Sequence, residues 1–144
     1  RQTAAAAIGE KNILVVGSMN LDTILRVDRL PTEGENICTV PYCDVVEVPG
    51  GKGCNQAIAV SKLAYNNISN KPNVQFYGQF GNDAAANVLQ NALETNHVDL
   101  KHCETCTECG SGRGYVFLNH HTGAVSAVVV GGSNQERWWR DDDS

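Results

Sequence analysis

Apolar positions along this chain switch between the period of a strand and the period of a helix. The switches mark a strand–helix–strand–helix order through residues 12–96. Ile13-Leu14-Val15-Val16 is a short continuous apolar run closed by Gly17 and Ser18, which predicts a buried strand over 12–17. Residues 23–28 alternate, with Ile24, Arg26 and Asp28 on one face and Thr23, Leu25 and Val27 on the other. Residues 37–48 are also rich in β-formers but are broken at Pro41; with 23–28 they predict a small antiparallel unit outside the main sheet. Ala57, Ile58, Val60, Leu63 and Ala64 recur at helical spacing, which predicts a helix over 54–65. The polar stretch 66–73, with Pro72, reads as a loop, and 74–80 as a second buried strand. A helix over 83–95 carries Ala84, Val88, Leu89, Ala92 and Leu93 on its apolar side, with Asn82 as its cap. Val98-Asp99-Leu100 leads into a cysteine-rich loop. Strands over 114–119 and 124–130 are joined by His120-His121-Thr122-Gly123 as a hairpin. This order predicts an α/β fold with a parallel sheet and crossover helices. No repeat or extended low-complexity tract appears beyond the alanines at 4–7.

Two places along this framework carry candidate chemistry. The first is Pro49-Gly50-Gly51-Lys52-Gly53-Cys54-Asn55-Gln56, a glycine-rich loop opening a helix. Missing Cβ atoms let such a backbone approach a ligand closely, and a helix N-terminus favours a polar one. The alternative is a tight turn capped by Asn55. The second is Asn20 and Asp22, just past the first strand, at the end of an open α/β sheet where ligands bind. Spacing two in extended chain puts both side chains on one face. A carboxylate accepts from two neighbouring hydroxyls, and an amide both donates and accepts. Together they suit a polyhydroxylated ligand such as a sugar. The alternative is a turn closed by Asn and Asp side chains.

These motifs, in order, carry a family resemblance. Gly-Ser-Met-Asn-Leu-Asp at 17–22, Leu-Pro-Thr-Glu-Gly-Glu at 30–35 and Gly-Gly-Lys-Gly-Cys-Asn-Gln-Ala at 50–57 resemble the N-terminal half of the ribokinase branch of the PfkB-type carbohydrate kinases. The likeness continues through Gly78-Gln79-Phe80-Gly81-Asn82-Asp83 and 114–119, and closes at Gly131-Gly132-Ser133-Asn134. It covers roughly residues 12–134 and about the first half of such a kinase. It implies a ribokinase-like three-layer α/β sandwich, incomplete here, whose parallel central sheet carries a small β lid. The strands at 23–28, 37–48 and 114–130 would lie in or near that lid, and would pair two subunits into a homodimer in the intact protein. The implied activity is transfer of the ATP γ-phosphate to D-ribose, with Mg2+ as the companion ion. The implied substrate-binding residues are Asn20, Asp22, Gly50, Gly51, Lys52 and Asn55. Lys52 also reads as a solvated surface lysine. Asp83 holds a family position, but a carboxylate at the start of a helix is favoured in its own right.

Composition narrows the class. A length of 144 residues is a single-domain size, and 42% hydrophobic with 19% charged residues is ordinary for a globular chain. A net charge of −5 and a pI near 5.2 argue against a nucleic-acid surface. No apolar run approaches the roughly 18 residues of a membrane span, so a cytoplasmic location is expected. Arg1-Gln2-Thr3 and the four alanines do not make a convincing signal peptide. Residues 1–11 are expected to be unstructured, and the missing initiator methionine suggests a fragment.

Six cysteines raise metal and disulfide readings. Cys103, Cys106 and Cys109 have the spacing that opens an iron–sulfur run, but no fourth cysteine and proline follow. A zinc site needs a fourth ligand, and His102 is immediately adjacent to Cys103. The preferred reading is an exposed connecting loop and, in a cytosolic protein, six free thiols and an unused Asn67-Ile68-Ser69 sequon. The family's catalytic base lies in a Gly-Ala-Gly-Asp-type motif, absent here, so no catalytic, nucleotide-binding or metal-binding residue is assigned. The tail at 135–144 departs from the family and is expected to be flexible, its Asp141-Asp142-Asp143 run too simple for a specific magnesium site. Three readings stay open: a ribokinase whose sugar-binding half is this chain, inactive alone; a non-catalytic sugar-binding or dimerising remnant; and a PfkB-type kinase for another sugar or a nucleoside.

Overall fold

The computed structural model describes residues 11–67 and 71–136. The alanine run, Ile68 and Ser69 of the sequon, and the tail's tryptophans and aspartates lie outside the described residues.

The chain opens on β1 (Asn12–Val16), β2 (Asn20–Val27) and β3 (Val46–Gly50), then α1 (Lys52–Asn67), β4 (Asn73–Tyr77) and β5 (Gln79–Phe80). It continues through α2 (Ala84–Thr95), β6 (Val98–Asp99), β7 (Glu104–Thr105), β8 (Gly112–Asn119) and β9 (Val125–Val130) to a 3₁₀ turn at Gly132–Asn134. β1, β4 and β6 form the expected parallel sheet in the order β1-β4-β6, with Val15 opposite Phe76 and Val74 opposite Val98. Parallel neighbours need crossover connections, and the two helices supply them. Both pack on one face of that sheet. Val15, Phe76 and Val98 from the strands meet Cys54 and Ala57 of α1 and Leu89 and Leu93 of α2 in the core. Each large side chain buried there contributes about 1.5–3 kcal/mol. The opposite face is open: Leu14 is 56% and Val16 55% exposed, so β1 is buried on one side only.

The second sheet runs β3-β2-β8-β9. It is mixed, not antiparallel as expected: β3 and β9 are antiparallel edges, while the central β2 and β8 run parallel. Residues 37–45 are not a strand. Pro41 lacks the N–H a ladder needs, and Tyr42 turns the chain with φ 60°, so pairing resumes only at Val46. The expected strand over 74–80 is two strands, because at Gly78 the chain leaves the main sheet and β5 pairs with β7. The β8–β9 hairpin forms as expected, Asn119 Oδ1 accepting from the N–H groups of His121 (2.9 Å) and Thr122 (2.8 Å). Every residue of β9 is exposed, including Val125, Val128, Val129 and Val130.

The cysteine loop differs from the expectation of six free thiols. Cys106 and Cys109 form a disulfide, their Cα atoms 5.7 Å apart, a separation within the range a bridge can close. Cys38, Cys43, Cys54 and Cys103 are free.

Asp83, not Asn82, caps α2: its Oδ1 accepts from the Ala86 N–H at 3.0 Å, while Asn82 Nδ2 donates to the Thr107 carbonyl at 3.4 Å. The same carboxylate takes the Ser111 N–H (3.1 Å) and hydroxyl (2.7 Å), tying α2 to the entry of β8. Burial alone would raise the Asp83 carboxyl; the Ser111 and Ala86 hydrogen bonds, with the Arg113 charge, outweigh it and hold the group below its ordinary value. A carboxyl lowered in the folded state stabilises at neutral pH, and that contribution is lost as pH falls through the folded-state value. Asp83→Ala should therefore cost about 1–2 kcal/mol at pH 7, the usual worth of a cap. Urea unfolding of both proteins should show the gap shrinking as the solution is acidified. A gap independent of pH would contradict this role for the carboxylate.

Candidate functional site

β2 begins at Asn20, immediately beyond the carboxyl end of β1, where the chain crosses from the parallel sheet into the mixed one. Strand alternation buries Leu21 (2% exposed) and turns Asn20 and Asp22 to the other face, as their spacing predicts. Each sits across from a glycine on β8: Asn20 pairs with Gly112 and Asp22 with Gly114. On the other side Asn20 pairs with Gly50 of β3.

Those glycines make a notch around the Asp22 carboxylate. A Cβ on Gly50 would stand 2.0 Å from Asp22 Oδ2, and one on Gly114 would stand 2.2 Å from Oδ1. The carboxylate therefore fits only because both flanking strands lack side chains at these points. Asp22 is half-buried, yet no protein group among the described residues donates a hydrogen bond to it. Burial without a donor pushes its carboxyl above its ordinary value. A desolvated carboxylate with free lone pairs has the character of a group that waits for donors from a ligand.

The glycine loop closes one side. Gly50 ends β3, Gly51 takes a left-handed φ of 88°, and α1 starts at Lys52. The helix thus begins two residues earlier than the sequence predicts. Lys52 and Asn55 lie in its first turn, three residues apart and so on neighbouring positions of one face, and both are exposed. Asn55 is inside the helix and is not its cap. The Cys54 N–H donates to the Ser18 carbonyl at 3.1 Å, which ties the helix start to the segment leading into Asn20. The Cys54 thiol is pushed up to about 11 by burial first, and then by the neighbouring Asp22 charge.

Sequence reasoning missed three contributors. Gly112 and Gly114 stand at the same spacing as Asn20 and Asp22, and glycines inside a strand mark a close approach, so that signal was present in the sequence. Asn134, from the 3₁₀ turn after β9, donates through Nδ2 to Asn20 Oδ1 at 2.9 Å. It comes from 114 residues away, and no local pattern announces the contact. The Leu30–Glu35 motif is tied up within its own turn: Arg29 forks onto Glu35, and Glu35 Oε2 accepts the Thr32 N–H and hydroxyl, each at 3.0 Å.

A three-stranded parallel sheet with both helices on one face, joined to a four-stranded mixed sheet that frames a polar notch, is an α/β arrangement that matches part of the ribokinase-like fold. The chain belongs to the pfkB family of carbohydrate kinases, whose profile it matches over residues 10–143. It is 32% identical over 126 residues to a ribokinase of Bacillus subtilis, covering 88% of this chain and 39% of that protein. It is 40% identical over 125 residues to a ribokinase of Lactococcus lactis, covering 86% of this chain and 37% of that one. The solved structure of Arabidopsis thaliana ribokinase complexed with ribose and ATP superposes with a TM-score of 0.70 at 31% identity, over 87% of this chain and 37% of that chain. The chain thus spans well under half the length of these relatives.

Proposed function

We propose that this chain forms the sugar-binding part of a ribokinase, which transfers the γ-phosphate of ATP to D-ribose to give D-ribose 5-phosphate and ADP. The observation that carries the reading is the Asp22 carboxylate, seated between Gly50 and Gly114 with no protein donor among the described residues. Ionised, it accepts hydrogen bonds from two ribose hydroxyls; Asn20 beside it takes a further oxygen. Gly50 and Gly51 let the sugar lie against backbone, and Lys52 and Asn55 reach it from the first turn of α1. Relatives named ribokinase, and one solved with ribose and ATP, support the choice of substrate and phosphoryl donor.

The chemistry is assigned outside the described residues. Among them no group of three His, Cys, Asp or Glu side chains is placed to hold a metal ion. No described residue is assigned to a magnesium–nucleotide site. No catalytic base is assigned to this chain, and residues 1–144 alone are expected to lack ribose phosphorylation. The exposed valines of β9 and the open edges of the mixed sheet are the surface through which two lid sheets would pair in a homodimer. No described helix is long and apolar enough to cross a membrane.

A thermal melt tests the sugar assignment. Ligand that binds only the folded state stabilises it by about 2.7 kcal/mol at a hundredfold excess over Kd. D-ribose should therefore raise the midpoint saturably, and D-fructose should not. Equal shifts with both sugars would contradict a ribose site.

A further inference from the structure

We propose that Asn134 is a positioning residue that fixes which way round the Asn20 amide faces, so that Asn20 meets the sugar as a hydrogen-bond donor. The inference rests on the sugar-site reading above and deepens it.

The argument is one of donors and acceptors. The Met19 backbone N–H can only donate, and it points at one end of the Asn134 amide at 2.9 Å. That end is therefore the oxygen, and the other is the NH2 group. From there Nδ2 lies 2.9 Å from the Met19 carbonyl, 3.0 Å from the Gly131 carbonyl and 2.9 Å from the Asn20 amide. An NH2 group has no lone pair to offer, so the Asn20 atom facing it is Oδ1. Turning Asn20 over would press two NH2 groups against each other: the Asn134 group would keep the Met19 and Gly131 carbonyls, but the Asn20 NH2 would face hydrogens instead of an acceptor and its Oδ1 would lose this donor. With Oδ1 committed, Asn20 Nδ2 is the end left for a ligand, and no protein acceptor among the described residues takes it. Asn20 as a whole is 9% exposed, but its Nδ2 is not among the buried polar atoms that lack a partner, so this donor opens to solvent, where water or a ligand oxygen can take it.

The surroundings are built to hold this arrangement. A Cβ on Gly112 would lie 2.1 Å from Asn134 Nδ2 and 2.4 Å from Asn20 Oδ1, so the bond exists because residue 112 has no side chain. The turn that carries Asn134 is itself pinned. Ser133 is fully buried, with its hydroxyl on the Gln79 carbonyl at 2.7 Å and its N–H on the Gly110 carbonyl at 2.9 Å. The site is thereby given a polarity: Asp22 supplies acceptors and Asn20 supplies donors. A sugar is then read by one hydroxyl that gives its proton and a second oxygen that receives one, which discriminates more sharply than two interchangeable groups.

Side-chain amide NMR on the full chain, without and with D-ribose, tests this. In the wild type the Asn134 NH2 protons should exchange slowly. Those of Asn20 should exchange freely and shift when ribose is added. Asn134→Asp keeps the shape but offers only acceptors. Asn20 should then turn its NH2 inward, its protons becoming protected without ribose and no longer shifting with it, and ribose affinity should fall at least tenfold. Asn20→Asp keeps an acceptor for Asn134 but removes the donor toward the sugar; it should fold normally and lose at least tenfold as well, which covers the case in which Asn134→Asp does not fold. Protected Asn20 protons in the ribose-free wild type, or unchanged affinity in Asn20→Asp, would overturn the inference. A wild type that shows the expected amide exchange but binds no ribose would instead contradict the sugar-site reading and leave the positioning intact.

Discussion

Asp22→Ala should weaken D-ribose binding by about two to four orders of magnitude without destabilising the fold. Two charge-assisted hydrogen bonds are lost, each worth about 1.5–3 kcal/mol, and every 1.4 kcal/mol is tenfold in affinity. No protein group among the described residues depends on this carboxylate, and its charge is held in a partly buried notch that raises its protonation range. The sign of the stability effect follows. A carboxyl whose folded-state value is raised opposes folding when ionised, and that cost fades as pH falls. The alanine variant should therefore be at least as stable as the wild type at pH 7. A structural aspartate behaves in the opposite way, losing stability and binding together. Wild-type affinity should also decline on acidification, beginning at a higher pH than an ordinary aspartate would dictate, because the protonated acid gives up one acceptor. Calorimetric titration paired with urea unfolding measures both quantities. Ribose affinity unchanged in the variant would contradict the role assigned to Asp22.

Gly51→Ala should destabilise the fold strongly, by about 2–6 kcal/mol. At φ 88° an alanine carries backbone strain of about 1–3 kcal/mol. Its Cβ would also stand 2.7 Å from the Ser18 carbonyl oxygen, 2.8 Å from Met19 Cα and 2.9 Å from the Asn20 nitrogen. All three are backbone atoms, so no rotamer change relieves the overlap, and overpacking adds about 1–3 kcal/mol. Against a total of about 5–15 kcal/mol for a small domain, such a loss is severe. Gly34→Ala is the control: its φ of 75° is comparable, but a Cβ there meets nothing within 4 Å. Chemical denaturation should show Gly34→Ala losing only the strain. Equal losses at the two positions would show that the glycine loop is not pressed against the Ser18–Asn20 segment.

Much of this site was legible in the sequence because its signals are local. Apolar runs and helical spacing located β1, both helices and the β8–β9 hairpin, and strand alternation put Asn20 and Asp22 on one face. What escaped depends on contacts between distant segments. The parallel pairing of β2 with β8 joins strands about ninety residues apart, and nothing in either strand alone distinguishes it from an antiparallel partner. Asn134 contributes through a turn whose sequence reads as loop punctuation. Residues 37–45 misled for a different reason. Their composition favours a strand, but Pro41 and the left-handed Tyr42 take the backbone out of any ladder. The start of α1 was set late because glycines are poor helix formers, and here the ties between the loop and the Ser18 segment override that preference.

The central claim is that Asp22, Asn20 and the Gly50–Asn55 loop form a ribose site within this chain. Isothermal titration of the purified 144-residue chain with D-ribose tests it most directly, with D-fructose and adenosine as comparisons. Saturable binding of D-ribose, with neither comparison ligand binding as tightly, is the predicted result. A folded chain that binds none of the three, or that prefers fructose or adenosine, would contradict it.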